Sequence, residues 1–270
     1  MISFPPCKIN LGLNIISKRA DGYHDIETCF YPVPWTDILE IIPSKEFSFA
    51  LSGTPIPGAN DQNLCVKAYQ LLQRDFDLPP VSIHLHKVIP TGAGLGGGSS
   101  DAAYTLKILN SVFDIQLNTQ RLQEYASKLG SDCSFFIESK PMFGEGRGEL
   151  LTAIELDLRG YYLVLINPNV HVSTAQAYAG VVPQIPTYNS KSILKGRPPD
   201  QWRNLLGNDF EQSVFKQHPL IGEVKDSLYA QGATYASMCG SGSTLFGLFA
   251  YQVDLKNQYI GMTYWAGNLS

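Results

Sequence analysis

Pro90-Thr91-Gly92-Ala93-Gly94-Leu95-Gly96-Gly97-Gly98-Ser99-Ser100-Asp101 is the stretch on which the reading of the fold turns. Five of the seven residues from Gly92 to Gly98 are glycine, and an alanine-rich helical pattern follows. Glycines let backbone N–H groups converge on one point. A helix opening behind them adds the positive end of its dipole, so the expected ligand is a phosphate. A ligand-free glycine turn is the bland alternative. Glycines lose much backbone entropy on folding, which argues that this cluster serves a close approach.

On the near side of the loop, Val81, Ile83 and Leu85 alternate with Ser82, His84 and His86, the pattern of a half-exposed strand. On the far side, Ala102, Leu106, Leu109 and Phe113 recur at helical spacing, with Ser99 or Ser100 expected as the N-cap. Gly92, Gly94 and Gly97 also satisfy Gly-x-Gly-x-x-Gly, and Asp114 lies further on, which invites a dinucleotide site. The half-polar strand argues against it, because the first strand of a doubly wound sheet is nearly all apolar. Asp114 sits in a polar turn, Phe113-Asp114-Ile115-Gln116. No Gly-Lys-Ser/Thr follows the loop, so it is no Walker A motif either.

Further out, Cys7, Ile9, Leu11, Leu13 and Ile15 alternate with Lys8, Asn10, Gly12 and Asn14, a period of two that sends Lys8 and Asn10 to one face together. Arg19-Ala20-Asp21-Gly22 reads as a turn into a strand from Tyr23 to Tyr31. A helix is expected from Asn63 through Leu72, and another carrying Leu122, Tyr125, Ala126 and Leu129 that stops at Gly130. Ser131-Asp132-Cys133-Ser134-Phe135-Phe136 follows that stop. The character changes near residue 150. Tyr161 to Ile166 reads as a buried strand, the proline-rich 181–199 as a surface loop, and Pro219 to Ala230 as a helix. Ser237 to Thr244 forms a second small-residue loop.

The chain of 270 residues has 44% hydrophobic and 16% charged residues and a formal net charge of −4. It has no basic run, so nucleic acid is not an expected partner. The five cysteines, Cys7, Cys29, Cys65, Cys133 and Cys239, are never closer than 22 residues, which fits neither a disulfide framework nor a zinc site. No signal peptide or membrane span is expected, and cytoplasmic placement is.

Pro90 through Ala103 resembles the second motif of the GHMP kinases, which include the galactokinases and the homoserine, mevalonate and phosphomevalonate kinases. Cys7-Lys8-Ile9-Asn10-Leu11, Arg19-Ala20-Asp21-Gly22-Tyr23-His24 and Leu129 through Phe136 resemble the branch of that family acting on a cytidylyl alcohol of the non-mevalonate isoprenoid route. Similarity continues through Gly144-Glu145-Gly146, Asn208-Asp209-Phe210-Glu211 and Gly240-Ser241-Gly242. Cys133-Ser134 stands where the family commonly has Val-Pro, and Tyr178 where Phe is common.

The resemblance implies a two-domain α+β GHMP kinase fold. A ribosomal-protein-S5-domain-2-like ATP domain would span 1–152 and a ferredoxin-like C-terminal domain 153–270. It implies transfer of the γ-phosphoryl group of ATP, with Mg²⁺, to the 2-hydroxyl of the cytidylyl substrate. Asp132 would be the base and Lys8 the charge stabiliser. Pro90, Thr91, Gly92, Ala93, Gly94, Leu95, Gly96, Gly97, Gly98, Ser99 and Ser100 would hold ATP, with Asn63 and Lys87 near the adenine. Asn10, Tyr23, His24, Phe30, Thr174 and Tyr178 would meet the substrate. No protein-held metal, membrane or nucleic acid is expected, and the chain would be a monomer or weak homodimer. Taken singly, Asp132 reads as a capping residue, Lys8 as a solvated lysine and the aromatics as core. The open alternatives are a homoserine- or mevalonate-type kinase, a dinucleotide-dependent oxidoreductase and a catalytically silent nucleotide-binding module.

Overall fold

The computed structural model describes residues 1–269. In chain order its strands and α-helices are β1 (Ile2–Ser3), β2 (Pro6–Lys18), β3 (His24–Thr36), β4 (Ile38–Pro43), β5 (Ser48–Gly53), α1 (Leu64–Phe76), β6 (Val81–Lys87), α2 (Gly97–Val112), α3 (Thr119–Ser127) and α4 (Phe135–Glu138). They continue with β7 (Met142–Glu145), β8 (Leu150–Ala153), β9 (Tyr162–Asn167), α5 (Thr174–Ala179), α6 (Ser190–Gly196), α7 (Glu211–Gln217), α8 (Pro219–Ala230), β10 (Tyr235–Met238), β11 (Leu245–Phe249) and β12 (Thr263–Asn268). Helices accompany mainly antiparallel sheets, with β5 parallel to β6, as in an α+β fold. The chain divides into two compact units, and neither is continuous in sequence.

The first unit gathers Met1–Cys7, Trp35–Thr91 and Gly96–Lys140. Its sheet runs β1-β4-β6-β5, with β4 antiparallel and β5 parallel to β6. The alternation in β6 is observed: Val81, Ile83 and Leu85 are buried, while His84 is exposed and Ser82 and His86 half-buried. Burying each such aliphatic side chain contributes about 1.5–3 kcal/mol, so the inward row fixes the register of the strand. Helix α2 packs against α1, α3, α4 and β4.

The second unit gathers Lys8–Pro34, Gly92–Leu95 and the chain from Pro141 onward. It holds two antiparallel sheets, β2-β3-β7-β8 and β10-β11-β9-β12. Leu13, Ile15, Val164, Ile166, Phe210, Val214, Ile221, Leu228, Met238 and Phe249 form a buried cluster there, with α8 laid on β10 and β11.

Three local expectations change. Helix α2 begins at Gly97 with Gly96 in the cap position, so Ser99 and Ser100 lie inside the first turn instead of capping it. Gly96 has φ +70°, a conformation open to glycine and strained for serine. The stretch 181–199 is no continuous loop: α6 interrupts it, capped by the Asn189 side chain accepting from the Ser192 N–H. The second strand starts at His24 and runs on to Thr36.

Candidate active site

The glycine loop is shared between the two units. Gly92, Gly94 and Gly96 have φ of +64°, +79° and +70°. At Gly94 a Cβ would stand 1.9 Å from the Cys239 carbonyl oxygen, so only glycine lets those backbones meet. The first intrahelical bond of α2 runs from the Ser100 N–H to the Gly96 carbonyl. The N–H groups of Gly97, Gly98 and Ser99 therefore precede the helical ladder and are the donors an anion would use.

In the first unit this helix start rests on buried charge. The Lys87 amine bonds Asp37 and lies 2.8 Å from Asp101, with both carboxylates and the lysine essentially sealed from water. Asp37 also accepts from the N–H groups of Val88 and Ile89, at 2.6 and 2.8 Å. Asp101 keeps one oxygen without a hydrogen-bond partner among the described residues. Burial pushes its carboxyl up to about 7, against the pull of Lys87 and with help from Asp37. Burial works against charge on Lys87, but Asp101 and Asp37 more than reverse it and its pKa is raised. Lys87, expected beside the adenine, bonds two buried carboxylates next to Gly97. Asn63 lies at the start of α1, where its side chain accepts from the Cys65 N–H.

Asp132 sits half-buried in a short 3₁₀ turn, Ser131–Cys133, that follows the end of α3. A Cβ on Gly130 would stand 3.3 Å from Cys133 Sγ and 3.9 Å from Ser99 Oγ, so the first turn of α2 lies beside this turn. Cys133 is buried, and the Ser134 hydroxyl donates to the Gln123 carbonyl at 3.1 Å. The departure from Val-Pro is thereby accommodated by one buried thiol and one hydrogen bond.

In the second unit, the period-two pattern of β2 does bring Lys8 and Asn10 to one face, although both are buried, at 3% and 2% exposure. The Lys8 amine donates to Asn10 Oδ1 at 2.7 Å and to the Gly94 carbonyl at 2.9 Å, and stands 5.4 Å over the Phe30 ring. Its N–H donates to Leu95 O at 3.0 Å. Asn10 donates to Thr28 Oγ1 at 3.0 Å. A buried amine needs such oxygen partners, because burying it without them is costly.

The aromatic residues divide. His24 stacks on Tyr178 with ring centroids 4.7 Å apart, and Phe210 meets Tyr178 edge-on at 4.8 Å. Burial, with Lys18 nearby, lowers the His24 pKa below the usual histidine value. Tyr23 is 55% exposed and carries the Arg147 guanidinium 4.9 Å over its ring. Phe30 is buried beneath Lys8, and Thr174 lies 3.4 Å from the Ser241 hydroxyl. Sequence reasoning missed Asp37 and Asp101, Asn208 and Glu211 behind the Gly240 loop, and Arg147. Asn208 and Glu211 had been quoted as motif residues without a role.

The model for the GHMP kinases N terminal domain matches residues 63–140, and that for the GHMP kinases C terminal domain matches residues 192–259. The chain belongs to the GHMP kinases. Among its relatives, a protein of Bacteroides thetaiotaomicron named 4-diphosphocytidyl-2-C-methyl-D-erythritol kinase is 54% identical over 253 residues, 92% of each chain. One of the same name from Parabacteroides distasonis is 46% identical with both chains fully covered. A crystal structure of 4-(cytidine 5'-diphospho)-2C-methyl-D-erythritol kinase superposes with TM-score 0.79 at 32% identity, covering 92% of this GHMP kinase and 90% of that chain. A homoserine kinase from Cytophaga hutchinsonii shares the fold, with TM-score 0.67 at 16% identity over 98% of this chain and 95% of its own. No helix among the described residues is long and apolar enough to cross a membrane.

Proposed function

We propose that this GHMP kinase transfers the γ-phosphoryl group of ATP to the 2-hydroxyl of 4-diphosphocytidyl-2-C-methyl-D-erythritol. The observation that carries the reading is identity of 45–54% to proteins bearing that kinase's name, over nearly the whole chain. Phosphoryl transfer asks a protein for positioning, charge stabilisation and a proton acceptor. The N–H groups of Gly97, Gly98 and Ser99, ahead of the helical ladder, receive the phosphates. Asp132 accepts the proton of the attacking hydroxyl, and Lys8 offsets the charge that develops on the transferred group. Tyr23, Phe30 and Tyr178 pack around the cytosine and His24 hydrogen-bonds it, with Asn10 and Thr174 also meeting the substrate.

The Ser100 hydroxyl is buried in the first turn of α2 and has no hydrogen-bond partner among the described residues, which suits a further oxygen-binding group. Mg²⁺ carried by ATP would be held through Ser100 or Ser99 and would neutralise phosphate oxygens. The division at 152/153, cytoplasmic placement and a monomer or weak homodimer complete the reading.

A coupled assay with ATP and the cytidylyl alcohol, set against homoserine and mevalonate, tests it. Preference for either of the latter overturns the substrate. Asp132→Asn is expected to lower kcat by about 10²–10⁴-fold with ATP binding kept. An Asp132→Asn protein as active as the wild type removes Asp132 as base.

A further inference from the structure

The segment Asn208-Asp209-Phe210-Glu211 belongs to no part of the chemistry above, yet it is wired into the second unit at every residue. It runs beside β2: the Leu13 N–H donates to the Gly207 carbonyl at 2.8 Å and the Asp209 N–H returns to the Leu13 carbonyl at 2.9 Å. Asp209 Oδ2 accepts from the Ile15 N–H at 2.7 Å. The Asn208 side-chain amide donates to the carbonyls of Met238 and Gly240, each at 2.8 Å, while its oxygen accepts from the Phe210 N–H at 3.0 Å. Glu211 Oε1 accepts from the Met238 N–H at 2.9 Å and the Ser237 hydroxyl at 3.0 Å, and its other oxygen pairs with Lys225.

What these bonds hold is the Cys239-Gly240-Ser241-Gly242 loop. That loop carries few side chains to pack, so its conformation depends on its peptide groups. It abuts the nucleotide side directly. The Cys239 carbonyl lies against Gly94, the Thr244 N–H donates to the Ala93 carbonyl at 3.2 Å, and a Cβ on Gly240 would stand 3.5 Å from the Lys8 amine. An amide that grips two carbonyls two residues apart fixes the tilt of the peptides between them. Glu211 fixes the strand end that feeds them.

We infer that Asn208 and Glu211 are positioning residues for nucleotide binding, acting through the Cys239–Gly242 loop on the Ala93-Gly94 seat. The inference rests on reading the glycine loop as the ATP site. Neither residue touches ATP; each acts through backbone it holds. Phe210, in the same tetrapeptide, faces Tyr178 and so serves as an internal control on the substrate side.

The experiment uses the full chain, with KM for ATP and for the cytidylyl alcohol measured separately, equilibrium binding of the ATP analogue AMPPNP, and Tm. Asn208→Ala is expected to raise KM for ATP and Kd for AMPPNP by about tenfold, the size of one or two lost net hydrogen bonds. The KM for the alcohol should stay within about twofold. Glu211→Ala should do the same more weakly, whereas Glu211→Gln, which keeps an accepting oxygen, should retain near wild-type AMPPNP affinity. Phe210→Leu should raise the KM for the alcohol and spare that for ATP. Equal shifts in both substrate constants, or a lower Tm with AMPPNP affinity unchanged, overturn the inference. Should Asn208→Ala not fold, the contrast between Glu211→Ala and Glu211→Gln decides it. A wild type that binds AMPPNP but leaves the alcohol unphosphorylated refutes the substrate reading alone, and AMPPNP binding by the variants still judges the loop.

Discussion

The two ends of the glycine loop are held by opposite chemistries. Behind Gly97 to Asp101, the first unit uses a sealed cluster of one ammonium and two carboxylates, Lys87, Asp37 and Asp101. Behind Gly92 to Leu95, the second unit relies mainly on peptide groups, glycine contacts and the Asn208 amide, with the Lys8 amine on the Gly94 carbonyl as a charged contact to the seat itself. The difference teaches how each support fails. A buried ionic cluster is intolerant of losing one member, because the charge left behind has no water to solvate it. The Asn208 amide carries no charge, so its removal costs about one net hydrogen bond per bond lost and that cost does not change with pH.

The largest expected effect is therefore ionic. Lys87→Met leaves the buried Asp37 and Asp101 facing each other without a cation, and should destabilise the fold by about 3–5 kcal/mol in urea unfolding. A loss under about 1 kcal/mol would break the contrast between the two supports. Gly94→Ala comes next. Its φ of +79° is strained for alanine, and the new methyl would overlap the Cys239 carbonyl. We expect a loss of about 2–3 kcal/mol together with weaker AMPPNP binding. Unchanged binding would mean that the seat of Gly94 is dispensable.

A dependence on pH sharpens the comparison most. Asp101 has its pKa raised from 3.8 to about 7, so between those values the folded chain holds a proton that the unfolded chain has released. Stability from this group is complete below about pH 4 and is lost as pH rises through about 7. The groups facing it are Lys87, Asp37 and the Cys65 thiol. Asp101→Asn should flatten a slope on the order of 1 kcal/mol per pH unit in that window, read from urea midpoints at a series of pH values. Asn208→Ala should leave that slope unchanged. A wild-type profile with no fall between pH 4 and 7 sinks the assignment of the proton to Asp101.

Much of this was legible in the chain. The alternation from Cys7 to Ile15 placed Lys8 and Asn10 on one face, and the row Val81, Ile83, Leu85 marked the inward side of β6. That same row continues to Lys87, which parity alone assigns to the buried face; a lysine there is a signal of a hidden partner. The partner Asp37 had no such signal, because it sits in a one-residue break between β3 and β4 where no periodicity operates. The start of α2 was misplaced because serine is the favoured cap by propensity, whereas the left-handed backbone at Gly96 admits glycine and strains serine. Helix α6 was hidden by the prolines around it, although Asn189 supplies an ordinary cap. Within the site, resemblance carried what spacing could not: nothing in Asn208-Asp209-Phe210-Glu211 announces that its amide grips a loop some thirty residues on.

All five cysteines are buried, and burial pushes the thiols of Cys133 and Cys239 up to about 12 and those of Cys29 and Cys65 higher still. Thiolate, the form that alkylating reagents attack, is scarce in the native chain. Iodoacetamide uptake followed by mass therefore counts molecules that have opened, without any added dye. Cys133 adjoins Asp132 in one unit and Cys239 lies under Gly94 in the other, so peptide-level labelling times the loosening of each separately.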